Sequence, residues 1–248
     1  MLKPYLIMLP GWGMKSFVWN KINKFLSNDF ELLLIEWDNI HSLDDFKAKV
    51  ISTIKQKKIS TFSLLGWSLG SLVAQDIASD NLWNIKHLIL FGGTSSFVQH
   101  KEDSYNIGWN KRIVERMKSN LYKKKQETLD VFYEAMFSNV EKEKGYYNNF
   151  LQLSGDNLEN QSIGSLAMGL DYLIQKDLRA KLLDINIPLL MIHGGEDSIC
   201  PLESSIYIKN IIINSSIELI KHAGHIPFFT YPNECYSTIS KFIGGINL

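Results

Sequence analysis

The sequence predicts an α/β fold, a mainly parallel sheet with helices on both faces and one helical insertion that caps it. Three observations carry that expectation. Short leucine-rich or β-branched runs recur at wide spacing, each ending in a turn; the stretches between them hold helical periodicity; and one long interval has helical faces but no convincing strand. Strands that are apolar along nearly their whole length are buried on both faces, as in a parallel sheet. Their alternation with helical stretches is the doubly wound pattern.

The first predicted strand, Tyr5–Leu9, runs into the glycine turn Pro10-Gly11-Trp12-Gly13. Phe30–Trp37 is the second, followed by a helix over Leu43–Lys57. Thr61–Leu65 is the third, and it leads through Gly66-Trp67-Ser68-Leu69-Gly70 into a helix over Ser71–Ser79. His87–Phe91, Pro188–His193 and Ile217–Ile220 complete the set. The rhythm breaks between the fourth and fifth. From about Ser96 to Asp184, Ile113, Val114, Met117 and Leu121 share one helical face, and Ile163, Leu166, Ala167, Leu170 and Ile174 share another. Residues 1–95 and 185–248 are therefore expected to form the α/β core. Residues 96–184 are expected to form a helical cap over the carboxyl ends of the strands, where ligands bind in open parallel sheets.

Composition narrows the function classes. With 248 residues, 45% of them hydrophobic, there is material for one large domain. Twenty-six basic residues balance 26 acidic ones, so nothing marks a nucleic-acid binder. Cys200 and Cys235 are too few for a disulfide framework and suit a reducing compartment, so a cytoplasmic location is expected. The first apolar run is too short and wrongly flanked for a signal peptide, and none reaches membrane-spanning length. No metal or organic cofactor is implied.

The chemistry starts at Gly66-Trp67-Ser68-Leu69-Gly70. A G-x-S-x-G between a strand and a helix is the nucleophile-elbow pattern, in which a strained turn lifts the serine hydroxyl above the sheet edge. A serine hydroxyl needs a base at neutral pH, and the base needs an orienting carboxylate. After the fifth strand comes Gly194-Gly195-Glu196-Asp197, and after the sixth comes Lys221-His222-Ala223-Gly224-His225-Ile226-Pro227. Ser68, Asp197 and His225 thus form a candidate triad in the chain order of this hydrolase type. Asp197 is favoured over Glu196 because it sits nearer the turn into the next helix. His225 is favoured over His222 because it lies between Gly224 and Pro227. His193 is read as ending a strand, and His41 and His100 as surface residues. Two backbone N–H groups would hold an oxyanion, those of Leu69 and Trp12. The indoles of Trp12 and Trp67 are expected to wall the acyl pocket.

With these pieces in place the chain resembles the α/β-hydrolase superfamily, and within it the pimeloyl-[acyl carrier protein] methyl ester esterase family of biotin synthesis. Gly11-Trp12-Gly13 with Val18-Trp19 carries the resemblance, together with Leu65-Gly66-Trp67-Ser68-Leu69-Gly70 and Gly92-Gly93-Thr94-Ser95-Ser96-Phe97. His225-Ile226-Pro227-Phe228 and Tyr231-Pro232-Asn233-Glu234 extend it. The chain departs from the family pattern where Pro10-Gly11 replaces His-Gly, where Ser71 replaces a glycine, and at Glu36-Trp37-Asp38-Asn39-Ile40-His41. The resemblance implies a serine carboxylesterase that frees methanol from a carrier-linked ester. A long extended acyl arm calls for an apolar lining in the cap, expected from Met117, Phe132 and Met136. Independently, seven basic residues against one acid lie between Lys111 and Lys125. Arg112, Arg116 and Lys123 are the residues expected to dock an acidic acyl carrier protein. A short-chain esterase or carbon–carbon bond hydrolase with the same triad is the rival enzyme. A hydrolase-shaped binding protein is the rival without turnover.

Overall fold

The computed structural model describes residues 3–155, 158 and 161–245. Its sheet has six strands in the order β2-β1-β3-β4-β5-β6, all parallel: β1 Tyr5–Leu9, β2 Glu31–Leu34, β3 Thr61–Trp67, β4 Asn84–Phe91, β5 Leu189–Gly194 and β6 Ser215–Ile220. The four central strands are buried over most of their length. The edge strands are not: β2 is half-buried after an exposed first residue, and β6 mixes half-buried and exposed positions before a buried Ile220. Two-sided burial therefore holds for the middle of the sheet only, because an edge strand has one neighbour and its helix cover runs out.

Register decides where the chemistry can sit. Leu9 lies opposite Gly66, Trp67 opposite Phe91, and Gly194 opposite Ile220, so β1, β3 and β4 end within a residue of one another, and β5 and β6 end together two residues further on. The loops that follow them all open on one edge of the sheet. The helices of the core are α1 Asn20–Asp29, α2 Asp44–Gln56 and α3 Leu69–Ala78, followed later by α9 Leu202–Ile211, α10 Pro227–Thr230 and α11 Pro232–Gly245. Every residue of α3 is buried, so this helix belongs to the core.

Between β4 and β5 the described residues contain no sheet strand. They form α4 Lys111–Lys123, α5 Lys125–Ala135, α6 Asn139–Glu143, α7 Tyr146–Ser154 and α8 Ile163–Gln175. The two ends of this insertion lie side by side, with Ser96 bridging Asp177 and the Leu178 N–H donating to Ser95 O at 2.8 Å. Val114 and Leu121 of α4 are buried. Ile113, expected on the same face, is half exposed, since the burial stripe of the helix lies to one side of it. Among the described residues no helix is long and apolar enough to cross a membrane.

An aromatic cluster fixes the floor beneath the last loop. Phe228 packs on Trp19 at 4.4 Å and on Trp67 and Phe91 at 5.0 Å between ring centroids. All four rings are buried, and each contributes about 1.5–3 kcal/mol. Phe228 lies in the first turn of α10, so this packing holds the chain three residues after His225 in place.

Candidate active site

Ser68 sits at the end of β3 with φ 55° and ψ −118°, outside the regions that L-residues favour. Such geometry costs about 1–3 kcal/mol and persists only where the surroundings fix it. Here the Ser68 N–H is held by Phe91 O at 3.1 Å. Gly66 and Gly70 permit the close crossing, because a Cβ on Gly66 would strike Gly70 O and one on Gly70 would strike Leu9 O. The sequence folds this way locally because only glycine lets strand and helix approach so tightly.

Asp197 and His225 meet on the loops after β5 and β6, which open on the same edge of the sheet. Asp197 Oδ2 lies 2.7 Å from His225 Nδ1, and both side chains are buried. Asp197 Oδ1 accepts the N–H groups of Ile199 at 2.8 Å and Cys200 at 2.9 Å. Burial alone would raise this carboxyl, but His225, with His193 and the Cys200 N–H, outweighs burial and holds it below the usual range. The other ring nitrogen, Nε2, is enclosed and has no hydrogen-bond partner among the described residues.

The neighbouring alternatives pair with each other instead. Glu196 Oε1 is 3.4 Å from His222 Nδ1, and both side chains are exposed. One turn thus carries a buried acid–histidine pair and a wet one. His193 does more than end a strand. It is fully buried, with Nε2 at 2.8 Å from Cys200 O, Nδ1 at 2.8 Å from Ser205 Oγ, and Asp197 Oδ2 at 3.6 Å. Burial lowers its pKa despite the nearby aspartate, and its two ring hydrogen bonds make it a brace behind the carboxylate. His100 is half-buried and bonds Ser96 Oγ at 2.8 Å, while His41 is exposed.

Leu69 heads α3, so its N–H is among those at a helix start without an intrahelical acceptor. Trp12 lies on the turn after β1, on the same sheet edge. Its indole donates to Leu166 O at 2.7 Å and packs edge-on against Phe132 at 4.8 Å. The turn lacks an imidazole brace, and the Trp37 indole takes that place by donating to Pro10 O at 2.8 Å. Lys15 adds ion pairs to Glu36 and Asp38. The residues that replace the familiar loop after β2 therefore brace the turn that carries Trp12.

A small apolar cavity of about 20 Å³ reaches Ser68. Trp12, Phe97, Trp109, Val114, Met117, Phe132, Leu170 and Ile199 line it. Trp109, Met117, Phe132 and Ile199 also wall a wider cleft on the outside, between α4 and α5, rimmed by Ile113, Arg116, Lys124 and Val131. Two expected wall residues lie elsewhere. Trp67 is fully buried on the far side, where its indole donates to His225 O at 2.9 Å. Met136 is fully buried too, and its carbonyl accepts the His225 N–H at 2.7 Å. Both support the His225 backbone, since their positions on β3 and after α5 face the loop rather than the cavity.

The basic run is less charged in practice than in sequence. Lys111, Lys118 and Lys124 pair with Glu115, Asp171 and Glu127 at 3.9, 2.6 and 2.9 Å. Arg112, Arg116 and Lys123 are exposed and make no ion pair among the described residues. No cluster of metal-ligating side chains occurs among the described residues.

Comparison with known proteins agrees with this geometry. A family profile described as alpha/beta hydrolase fold matches residues 4–232. The pimeloyl-[acyl-carrier protein] methyl ester esterase of Wigglesworthia glossinidia brevipalpis is 30% identical over 98% of this chain and 94% of its own length. The enzyme of the same name from Nitrosomonas europaea is 28% identical over 94% of this chain and 93% of its own. Among solved structures, an esterase from Exiguobacterium antarcticum superposes with a TM-score of 0.84 at 21% identity, over 98% of this chain and 92% of that one. At that identity the superposition speaks for the fold.

Proposed function

Because this chain belongs to the alpha/beta hydrolase fold family, we propose that it is a serine carboxylesterase whose substrate is pimeloyl-[acyl carrier protein] methyl ester, as the names of its relatives suggest. The observation that carries the reading is the buried 2.7 Å Asp197–His225 pair, on loops that open on the same sheet edge as a serine on a strained elbow. Ser68 Oγ attacks the ester carbonyl and gives its proton to His225 Nε2. Asp197 holds the imidazole in the right tautomer and stabilises the imidazolium. The N–H groups of Trp12 and Leu69 receive the oxyanion. Collapse expels methanol, which leaves with the proton from His225, and water then hydrolyses the acyl-enzyme by the same route in reverse.

Residues 96–184 act as the cap in this reading. In this reading the acyl arm lies along the apolar wall of Trp12, Met117 and Phe132 and arrives from the outer cleft between α4 and α5; the cavity at Ser68 holds only about 20 Å³, so it must widen to admit the arm. Arg112, Arg116 and Lys123, on or beside that cleft, are the contacts for the acidic carrier. Both cysteines are buried free thiols, which suits a cytoplasmic enzyme.

The test is methanol release from the carrier-linked methyl ester, with Ser68→Ala, His225→Ala and the double variant as controls. Each single change should lower turnover by about a thousandfold or more, and the double should be little worse, because nucleophile and base act as a unit. Effects that multiply would overturn the triad. Cleavage of small free esters without any cleavage of the carrier-linked one would overturn the substrate and leave the esterase standing.

A further inference from the structure

We infer that Glu141, on the helical insertion, is a positioning residue for His225; the inference rests on His225 acting as the base, as proposed above. Ser138 caps the N-terminus of α6, and Glu141 closes a capping box with it: the Glu141 N–H donates to Ser138 Oγ at 3.1 Å, and the Ser138 N–H donates to Glu141 Oε2 at 2.8 Å. A box of this kind normally faces water and serves its own helix. This one is fully buried, and the same Oε2 also accepts the Gly224 N–H at 2.9 Å. Gly224 immediately precedes His225, whose own N–H goes to Met136 O at 2.7 Å.

Two successive amides of the histidine loop are therefore held by one short stretch of the insertion. Further bonds run between the same segments. Ser138 Oγ donates to His222 O at 2.8 Å, and Ser198 Oγ, next to Asp197, donates to Ala135 O at 3.0 Å. Gly224 is not in a left-handed conformation. What it provides is space, because a Cβ there would strike Met136 O and come within 2.8 Å of Ser138 N and 3.0 Å of Glu141 Oε2.

Helix capping alone does not account for the burial. Enclosing a carboxylate is costly unless its hydrogen bonds are worth more than its hydration, and no cation pairs with Glu141 among the described residues. The arrangement makes physical sense if the acceptor is needed where it stands. A shift of about 1 Å in a catalytic group costs up to about a hundredfold in rate, and the His225 loop is anchored on this side by the insertion.

The experiment compares Glu141→Ala, Glu141→Asp and Glu141→Gln on a small free ester, with Ser68→Ala beside them. Glutamine keeps an acceptor at the same reach, and its amide N–H₂ can face the Thr230 hydroxyl, which lies beside the carboxylate. Aspartate keeps the charge but falls short. Glu141→Ala and Glu141→Asp should lower kcat by about tenfold to a hundredfold with little change in KM, and Glu141→Gln should restore most of it. A folded Glu141→Ala or Glu141→Asp with wild-type kcat overturns the inference. So does a Glu141→Gln as slow as Glu141→Asp, because an acceptor at full reach would then not be enough to hold the loop. If Glu141→Ala does not fold, the Asp and Gln pair decides. Full activity in Ser68→Ala would instead overturn the triad, whatever the Glu141 series shows.

Discussion

Two carboxylates in this protein titrate in opposite directions for reasons that can be read from their neighbours. Asp197 is buried but faces His225, His193 and two amides, so its ionised form is favoured. Glu141 is buried among Ser138, Gly224, Thr230 and the Tyr231 phenol without a cation, and burial raises its pKa. A raised carboxyl binds its proton more tightly in the folded state. Stability is therefore lost as pH rises from the ordinary glutamate value of about 4.3 through the raised one. Glu141→Gln removes that titration, so the melting temperature of the variant relative to the wild type should climb between pH 4 and pH 7. A constant difference across that range would show that the carboxyl titrates like an exposed one. For Asp197, change to Asn should cost several orders of magnitude in kcat by admitting the wrong histidine tautomer. Glu196→Gln, at the surface pair with His222, should cost less than about tenfold. Reversed results would move the triad acid by one residue. The choice between these two acids was legible in sequence only as a preference, because the turn places both at the end of the same strand. What separates them is which way each side chain points, and that depends on the histidine loop it meets.

At the scale of elements, the elbow was the most legible part of the chain. Its glycines, its serine and the strand and helix on either side are all local, and each residue's role follows from the tightness of the turn. Gly92 was less legible. It appears in sequence as part of a loop leading to the insertion, yet it has φ 50°, and a Cβ there would lie 3.0 Å from His225 Cε1 and Nδ1 and 3.2 Å from Asp197 Oδ2. Gly92→Ala should therefore slow turnover by at least about tenfold, by displacing the imidazole, while the protein still folds. Circular dichroism and kcat on one small ester check both halves, and an unchanged kcat would show that the loop yields instead. The second strand was drawn too long, as Phe30–Trp37, because its apolar residues continue past the sheet. Ile35 still bonds Met8 O at 3.0 Å, but Trp37 serves the turn after β1. The sequence points to Trp67 as a pocket wall because it adjoins the elbow serine, and to Met136 as an apolar residue of the cap, yet both lie behind the histidine loop. Hydrophobicity marks burial, and only packing tells a pocket wall from the support behind a loop. The short helix α6 and its carboxylate carried no periodic signal at all.

For the molecule as a whole, the proposed substrate raises the question of how a neutral chain would select a large acidic partner. Ion pairing within the insertion leaves Arg112, Arg116 and Lys123 as the unpaired cations of the basic run among the described residues. Reversing all three charges should raise KM for the carrier-linked methyl ester about tenfold or more, although exposed pairs are worth under about 1 kcal/mol each. Rising salt should bring the wild type towards the variant. Hydrolysis of p-nitrophenyl butyrate should not change, because a small ester reaches Ser68 without meeting that edge. Equal losses on both substrates would point to a damaged insertion, and no loss on either would leave these cations as solvated surface.

The insertion leaves and rejoins the sheet at almost the same place, where Ser95 and Ser96 meet Leu178 and Asp177. A segment with adjoining ends is an interchangeable part: its sequence can lengthen, shorten or be traded between relatives without pulling the strands apart. That freedom lets one core lineage acquire new substrates by changing what covers it. Here the trade has a condition. Any replacement that fails to supply acceptors at the positions of Met136 O and Glu141 Oε2 would inherit a sound core whose histidine is no longer held from above. Lineages that exchange this part are expected to vary widely in the outer cleft and hardly at all in the few residues that touch the histidine loop.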